Sequence, residues 1–249
     1  MDRKFLVVCQ ARTGSSMLSS ALQQHPEICA HGEVLNLRMD DRLEFYGLDY
    51  NSPGSIMDFL RSELRRAPDD FIHRYVFHNG RFKIAGFKFK YEELSHPLFS
   101  AAREYVLRDR GIRIVHMTRD NIWKRFLSEY VALNVTRVFN SADKAIEVPD
   151  VTFKLGPDVV RAALDKSVSW QTQYRHLFSQ HPMLGVTYEE FSADPTAAFN
   201  RVTAFLGVSD FEFLPFTKKI KQSRPAEEMI ENYADLQAAF KGTEYEAYF

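Results

Sequence analysis

Phe5-Leu6-Val7-Val8-Cys9-Gln10-Ala11-Arg12-Thr13-Gly14-Ser15-Ser16-Met17 is the stretch whose reading decides the fold. Its first five residues form a short, continuous apolar run, as expected of a strand buried on both faces in a parallel sheet. From Ser15 a helical spacing begins, with Met17, Leu18, Ala21 and Leu22 on one face. A strand that turns directly into a helix aims backbone N–H groups and the positive helix end at one spot, which makes an anion site. Gly14 permits the positive φ and the close backbone approach such a nest needs. Ser15 and Ser16 add hydroxyl donors, and Arg12 adds a forked cation suited to phosphate or sulfate. The stretch is not a Walker A loop, because G-x-x-x-x-G-K-[ST] needs a second glycine with a lysine after it. An ordinary strand-to-helix turn capped by a serine would read the same way.

Working outward, similar short runs recur at Phe82–Phe89 (broken by Lys83), Ile112–Met117 and Met183–Val186, separated by helix-like stretches. Strands alternating with helices predict a three-layer α/β/α domain around a central, mostly parallel sheet. Helices are expected over Pro157–Ser179 and Pro195–Leu206, the latter stopped by Gly207. From about Val135 to Gly156 the pattern is irregular and contains Pro149. Such a segment reads either as a lid or acceptor-binding excursion or as a surface loop without a role. With no internal repeat, low-complexity tract or long linker, one domain over 1–249 is the expectation.

The chain has 249 residues, 45% apolar and 26% charged, which is ordinary for a globular protein. Thirty-two Lys+Arg against 33 Asp+Glu leave a net charge of −1, without the basic footprint of a nucleic-acid binder. Two cysteines, Cys9 and Cys29, cannot build a disulfide framework and suit a reducing compartment. No apolar run approaches the roughly 20 residues of a membrane span, and Phe5–Cys9 is shorter than a signal peptide's apolar region of about 7–15 residues. A cytoplasmic location without a membrane span is therefore expected.

A second anion site is suggested where Ile112–Met117 runs into Thr118-Arg119-Asp120-Asn121 and a helix continues to about Val131. Ile122, Trp123, Phe126, Leu127, Tyr130 and Val131 share one side of that helix. Asn121, Lys124, Arg125, Ser128 and Glu129 share the other. Ligands of parallel sheets bind at the carboxyl ends of the strands, so Arg119 is expected on the same rim as Gly14. A solvated helix face with an N-terminal cap is the alternative.

Arg12-Thr13-Gly14-Ser15-Ser16 resembles the 5′-phosphosulfate loop of sulfotransferases that use 3′-phosphoadenosine 5′-phosphosulfate (PAPS). Arg119-Asp120-Asn121 through Arg125 to Ser128 resembles their 3′-phosphate motif. Val186-Thr187-Tyr188-Glu189-Glu190-Phe191, followed by Phe205-Leu206-Gly207-Val208, is similar to a further segment of the family. Lys221-Gln222-Ser223 and Asn232-Tyr233-Ala234-Asp235-Leu236 resemble the C-terminal part of the bacterial carbohydrate branch, which includes trehalose and Nod-factor enzymes. The ordered set spans nearly the whole chain.

The resemblance implies a P-loop-like fold and transfer of a sulfuryl group from PAPS to an acceptor hydroxyl, with 3′,5′-ADP as the other product and no metal. Arg12 and the amides and hydroxyls of Thr13, Gly14, Ser15, Ser16 and Met17 would hold the 5′-phosphosulfate. Arg119 and Ser128 would take the 3′-phosphate, Lys221, Gln222 and Ser223 would clamp it, and Tyr188 would meet the adenine. A hydroxyl is a poor nucleophile, so a general base is required. His31-Gly32-Glu33 lies where the family places it; Glu33 is the first candidate and His31 the second, a plain surface loop being the alternative. Lys88, in Gly86-Phe87-Lys88-Phe89-Lys90, either faces the crevice and touches the sulfonate or acceptor, or runs along the sheet edge. A carbohydrate or glycolipid is the implied acceptor. Two other functions share the strand–loop–helix start: a phosphotransferase of the P-loop type, and a non-catalytic nucleotide-binding protein.

Overall fold

The computed structural model describes residues 3–36, 44–48, 54–78, 80–137, 150–214 and 224–249. Lys221, Gln222 and Ser223, and 138–149 of the irregular 135–156 segment, lie outside the described residues. The elements in chain order are β1 (Arg3–Cys9), α1 (Ser15–Leu22), β2 (Ile28–Ala30), α2 (Gly54–Arg66), α3 (Pro68–Phe71), β3 (Ile84–Lys90), α4 (Tyr91–Ser95), α5 (Ser100–Arg108), β4 (Arg113–Thr118), α6 (Ile122–Val131), α7 (Pro157–Leu177), β5 (Met183–Thr187), α8 (Tyr188–Ala193), α9 (Pro195–Leu206), α10 (Ala226–Met229) and α11 (Tyr233–Phe240). They form two compact units, 1–118 with 172–215, and 119–171 with 216–249.

The first unit holds a five-stranded sheet in the order β2-β3-β1-β4-β5, with every pairing parallel. The three-layer α/β/α fold expected from the sequence is present, and the sheet is parallel throughout. β1 is central and buried from Phe5 to Cys9, which explains why its run is apolar on both faces. Leu18, Ala21 and Leu22 of α1 pack with Phe5, Val7, Val115 and Val186, and α9 joins the same cluster through Val202 and Leu206. Gly86 of β3 fits closely on β1: a Cβ there would lie 2.2 Å from the carbonyl oxygen of Phe5. The register pairs Cys9 with both Lys90 and Met117, and Thr118 with Thr187. The loops after β1, β3, β4 and β5 therefore leave from one rim.

The second unit is helical. α6 buries Trp123, Phe126 and Leu127 against Val160 and Leu164 of α7 and Leu236 and Phe240 of α11. Asn232 ties the strand-like segment at Leu155 on both sides, accepting from its N–H at 3.0 Å and donating to its carbonyl at 2.9 Å. The polar face expected for α6 needs one correction. Arg125 is 1% exposed, and its guanidinium meets Glu129 one turn on at 2.9 Å. An arginine with an aliphatic stem and an i,i+4 carboxylate can be carried inside, which helical spacing alone does not reveal.

Candidate active site

The loop after β1 is shaped from within. Thr13 Oγ1 donates to the Gln10 carbonyl at 2.8 Å, closing a tight turn. Arg12 and Gly14 both take positive φ, 68° and 85°. A non-glycine residue held there is costly and is found where geometry serves function. Gly14 is the N-cap of α1, and no side chain caps the helix, so the serine-capped turn that the sequence left open is not what forms. The amides of Met17 and Leu18 donate to the Gly14 carbonyl at 2.9 and 3.3 Å. Those of Gly14, Ser15 and Ser16 have no hydrogen-bond partner among the described residues. Three donors at a positive helix end make an anion cradle. Within it, Thr13's hydroxyl and Met17's amide are already engaged, so their contribution is to the loop's shape. Tyr188, at the start of α8, lies against the glycine: a Cβ on Gly14 would sit 2.7 Å from its ring.

β2 delivers the second element. His31 N donates to the Gly86 carbonyl at 2.8 Å, and Lys88 N donates to the Gly32 carbonyl at 3.1 Å, so the chain past Ala30 stays on β3. Gly32 is demanded by packing, since a Cβ would fall 2.1 Å from Glu44 Oε2. That same Glu44 oxygen accepts from the Glu33 amide at 3.1 Å. His31 is buried; its Nδ1 accepts from Tyr46 N at 3.0 Å and its Nε2 lies 3.4 Å from Cys29 Sγ. Burial pushes its pKa down to about 4.

Glu33 meets two ammonium groups, Lys88 Nζ at its Oε1 and Lys90 Nζ at its Oε2, both at 2.8 Å. Burial alone would raise its pKa, but the two lysines outweigh burial and hold it down at about 2. Lys88 is 1% exposed, and its Nζ also donates to Ser16 Oγ at 3.2 Å. Burial works against its charge, and Glu33 overcomes that effect. Lys88 does not run along a sheet edge: its backbone pairs with Val7 of β1 on one side and donates to the Gly32 carbonyl on the other, and its side chain is buried. Lys88 thus links the loop after β1 to the carboxylate in one series of contacts: Ser16, Lys88, Glu33.

Three residues here were not singled out by the sequence. Lys90 grips Glu33 and also pairs with Glu93 at 3.0 Å. Glu92 Oε1 accepts from the loop amide of Ala11 at 3.3 Å. The available signal was the strand period: Lys88 and Lys90 lie two apart and point to one face.

In the second unit, Arg119 follows β4 and its carbonyl accepts from Gln171 Nε2 at 3.5 Å. Asn121 Oδ1 accepts from Lys124 N at 2.8 Å and caps α6, about two turns before half-buried Ser128. Tyr248 donates to the Asp120 carbonyl at 3.1 Å.

The sulfotransferase domain family matches residues 2–249. This chain belongs to the sulfotransferase family. It is similar to Nodulation protein H of Rhizobium tropici, at 23% identity over 98% of this chain and 92% of the relative. A sulfotransferase of Alicyclobacillus acidocaldarius has the same fold, with a TM-score of 0.56 and 22% identity over 100% of this chain and 99% of that one. In this chain the loop after β1 offers backbone donors suited to an anion, with the Lys88–Glu33 pair beside them. Among the described residues, no cluster of three or more His, Cys, Asp or Glu side chains is arranged to hold a metal ion.

Proposed function

We propose that this sulfotransferase moves the sulfuryl group of PAPS to an acceptor hydroxyl on a carbohydrate or glycolipid, with Glu33 as general base. The observation that carries this reading is Lys88, buried between Ser16 of the phosphate loop and the Glu33 carboxylate. A cation at that point is placed to neutralise charge where the donor oxygens meet the attacking hydroxyl. In the step itself, the sulfur–oxygen bond to the 5′-phosphate breaks and a sulfur–oxygen bond to the acceptor forms. The hydroxyl proton goes to Glu33, and 3′,5′-ADP leaves. Arg12 and the amides of Gly14, Ser15 and Ser16 bind the phosphosulfate and hold the leaving oxygen. Arg119 and Ser128 are proposed for the 3′-phosphate, and Lys221, Gln222 and Ser223 for its second clamp, on the resemblance of their motifs.

The low pKa of Glu33 fits a carboxylate that is ionised before the acceptor arrives. As Lys88 shares its charge with a sulfonate oxygen, its hold on Glu33 weakens and the carboxylate becomes a better base. His31 is a poorer choice, because both ring nitrogens are engaged and the ring is buried. Tyr188 is kept as an adenine contact, its ring lying next to Gly14. The carbohydrate acceptor rests on the resemblance to the bacterial carbohydrate branch; a phenol or small alcohol is the competing acceptor class. No described helix is long and apolar enough to cross a membrane, and a cytoplasmic location is part of this reading. The single domain expected over 1–249 is likewise kept, supported by a family match that runs across both units.

The test is calorimetric titration with 3′,5′-ADP beside ATP–magnesium. Binding of 3′,5′-ADP that Arg119→Ala weakens, with little heat from ATP, is the expected result. Binding of ATP–magnesium alone would replace the reading with a phosphotransferase.

A further inference from the structure

Behind Glu33 lies a carboxyl that the transfer step does not use. Glu93, in the first turn of α4, is 2% exposed, and its Oε1 is 3.0 Å from Lys90 Nζ. Its Oε2 is buried and has no hydrogen-bond partner among the described residues. Lys90 in turn holds Glu33 Oε2 at 2.8 Å. One ammonium group therefore stands between two carboxyls, and what it gives to one it withholds from the other.

We propose that Glu93 is a positioning residue for the base: through Lys90 it sets how strongly Glu33 is held, and so how readily Glu33 takes the acceptor's proton. This rests on Glu33 being the base. When Glu93 is neutral, Lys90 gives its charge to Glu33 alone, and Glu33 is a weak base. When Glu93 is ionised, it draws on Lys90 and repels Glu33, whose affinity for a proton rises.

The surroundings of Glu93 set which state prevails. Burial raises its pKa and Lys90 lowers it, and Glu33 and Glu92 add repulsion, leaving it at about 7. From α5 comes Arg103, whose Nη1 donates to the Leu94 carbonyl at 2.9 Å. From the turn after α4 comes His96, whose Nδ1 accepts from Leu98 N. Glu93 thus changes charge near neutrality, where its state alters the base while the nucleotide cradle is untouched.

Two measurements test this on the full chain. The first is a carbon-13 NMR titration of glutamate-labelled protein, with Glu33 and Glu93 assigned by Glu33→Gln and Glu93→Gln. The Glu33 carboxyl signal is expected to show a second inflection near Glu93's own titration, and Glu93→Gln is expected to remove it. The second is the rate of 3′,5′-ADP formation from PAPS with water as acceptor. Wild type should speed up between about pH 6 and 8 as Glu93 ionises, whereas Glu93→Gln should be flat and about tenfold slower at the upper end. Affinity for 3′,5′-ADP should stay within about twofold. Glu93→Asp should restore the rise.

A Glu33 signal indifferent to Glu93, a pH-flat wild type, or a Glu93→Gln rate lowered equally at every pH would overturn the proposal. Those outcomes differ from failure of the underlying reading, which shows as near-normal turnover in Glu33→Gln, or as an absence of 3′,5′-ADP binding in wild type, whatever the NMR coupling.

Discussion

Two stretches of this chain read alike in sequence: Arg12-Thr13-Gly14-Ser15-Ser16 and Arg119-Asp120-Asn121, each an arginine and short polar residues opening a helix. The structure builds them differently. α1 starts on a glycine with no side-chain cap, so its first amides remain for a ligand. α6 starts on Asn121, whose side chain accepts from Lys124 N, so that helix end has begun to satisfy itself. The first is proposed as a backbone anion site with Lys88 beside it; the second is proposed to bind through the side chains of Arg119 and Ser128. Capping is thus a sign of what a helix end is for.

The largest expected effect lies on the first side. Glu33→Gln should lower turnover by about 10²–10⁴ while 3′,5′-ADP binds nearly as before. A variant with near-normal turnover would remove the carboxylate from the chemistry and leave only the cradle.

Gly14→Ala attacks the cradle itself. The φ of 85° and a Cβ 2.7 Å from the Tyr188 ring both oppose alanine. Strain of about 1–3 kcal/mol is expected, read as roughly a ten- to hundredfold loss in calorimetric affinity for 3′,5′-ADP. Unchanged affinity would mean that loop conformation does not determine binding.

Acid should expose the charge cluster next. Glu33's folded pKa, about 2, lies below its ordinary 4.5, so its contribution is present above pH 4.5 and is lost as pH falls toward 2. Urea denaturation should show a loss on the order of 2 kcal/mol across that window, absent in Glu33→Gln. A variant as acid-sensitive as wild type would mean that the Lys88–Glu33 pair does not stabilise the fold.

The smallest effect separates the two helix ends. Asn121→Ala should cost about 1 kcal/mol of stability, seen as a lower melting temperature, with nucleotide affinity nearly unchanged. Arg119→Ala should do the reverse, weakening 3′,5′-ADP with little change in melting. If Asn121→Ala weakened the nucleotide as much as Arg119→Ala, the contrast between a backbone site and a side-chain site would fail.

The sheet was largely legible, because a parallel strand buried on both faces leaves an apolar run that few other structures produce. β1 and β4 appear where Phe5–Cys9 and Ile112–Met117 stand in the sequence, and β3 begins only after Lys83. The loop was legible as well, since Gly14 takes a positive φ that most other residues adopt only at a cost. Glu33 and Lys88 were each readable as candidates, but their pairing was not. They are far apart along the chain, and only the order β2-β3-β1 brings them together. Lys90 and Glu93 escaped notice because an i,i+3 pair of opposite charges ordinarily marks an exposed surface. Arg125 escaped for the converse reason, a charge counted as solvated that the fold carries inside with Glu129.

The ring of Tyr188 against Gly14 has a consequence for anyone who would move this loop to another protein. Gln10–Met17 follows β1, whereas its roof follows β5, two strands away in the sheet. A graft of strand, loop and helix would carry the glycine without the ring that confines it. The portable unit is therefore a slab of three adjacent strands, β1, β4 and β5, with the turn into α8, and a recipient scaffold lacking that edge would receive a motif in name alone.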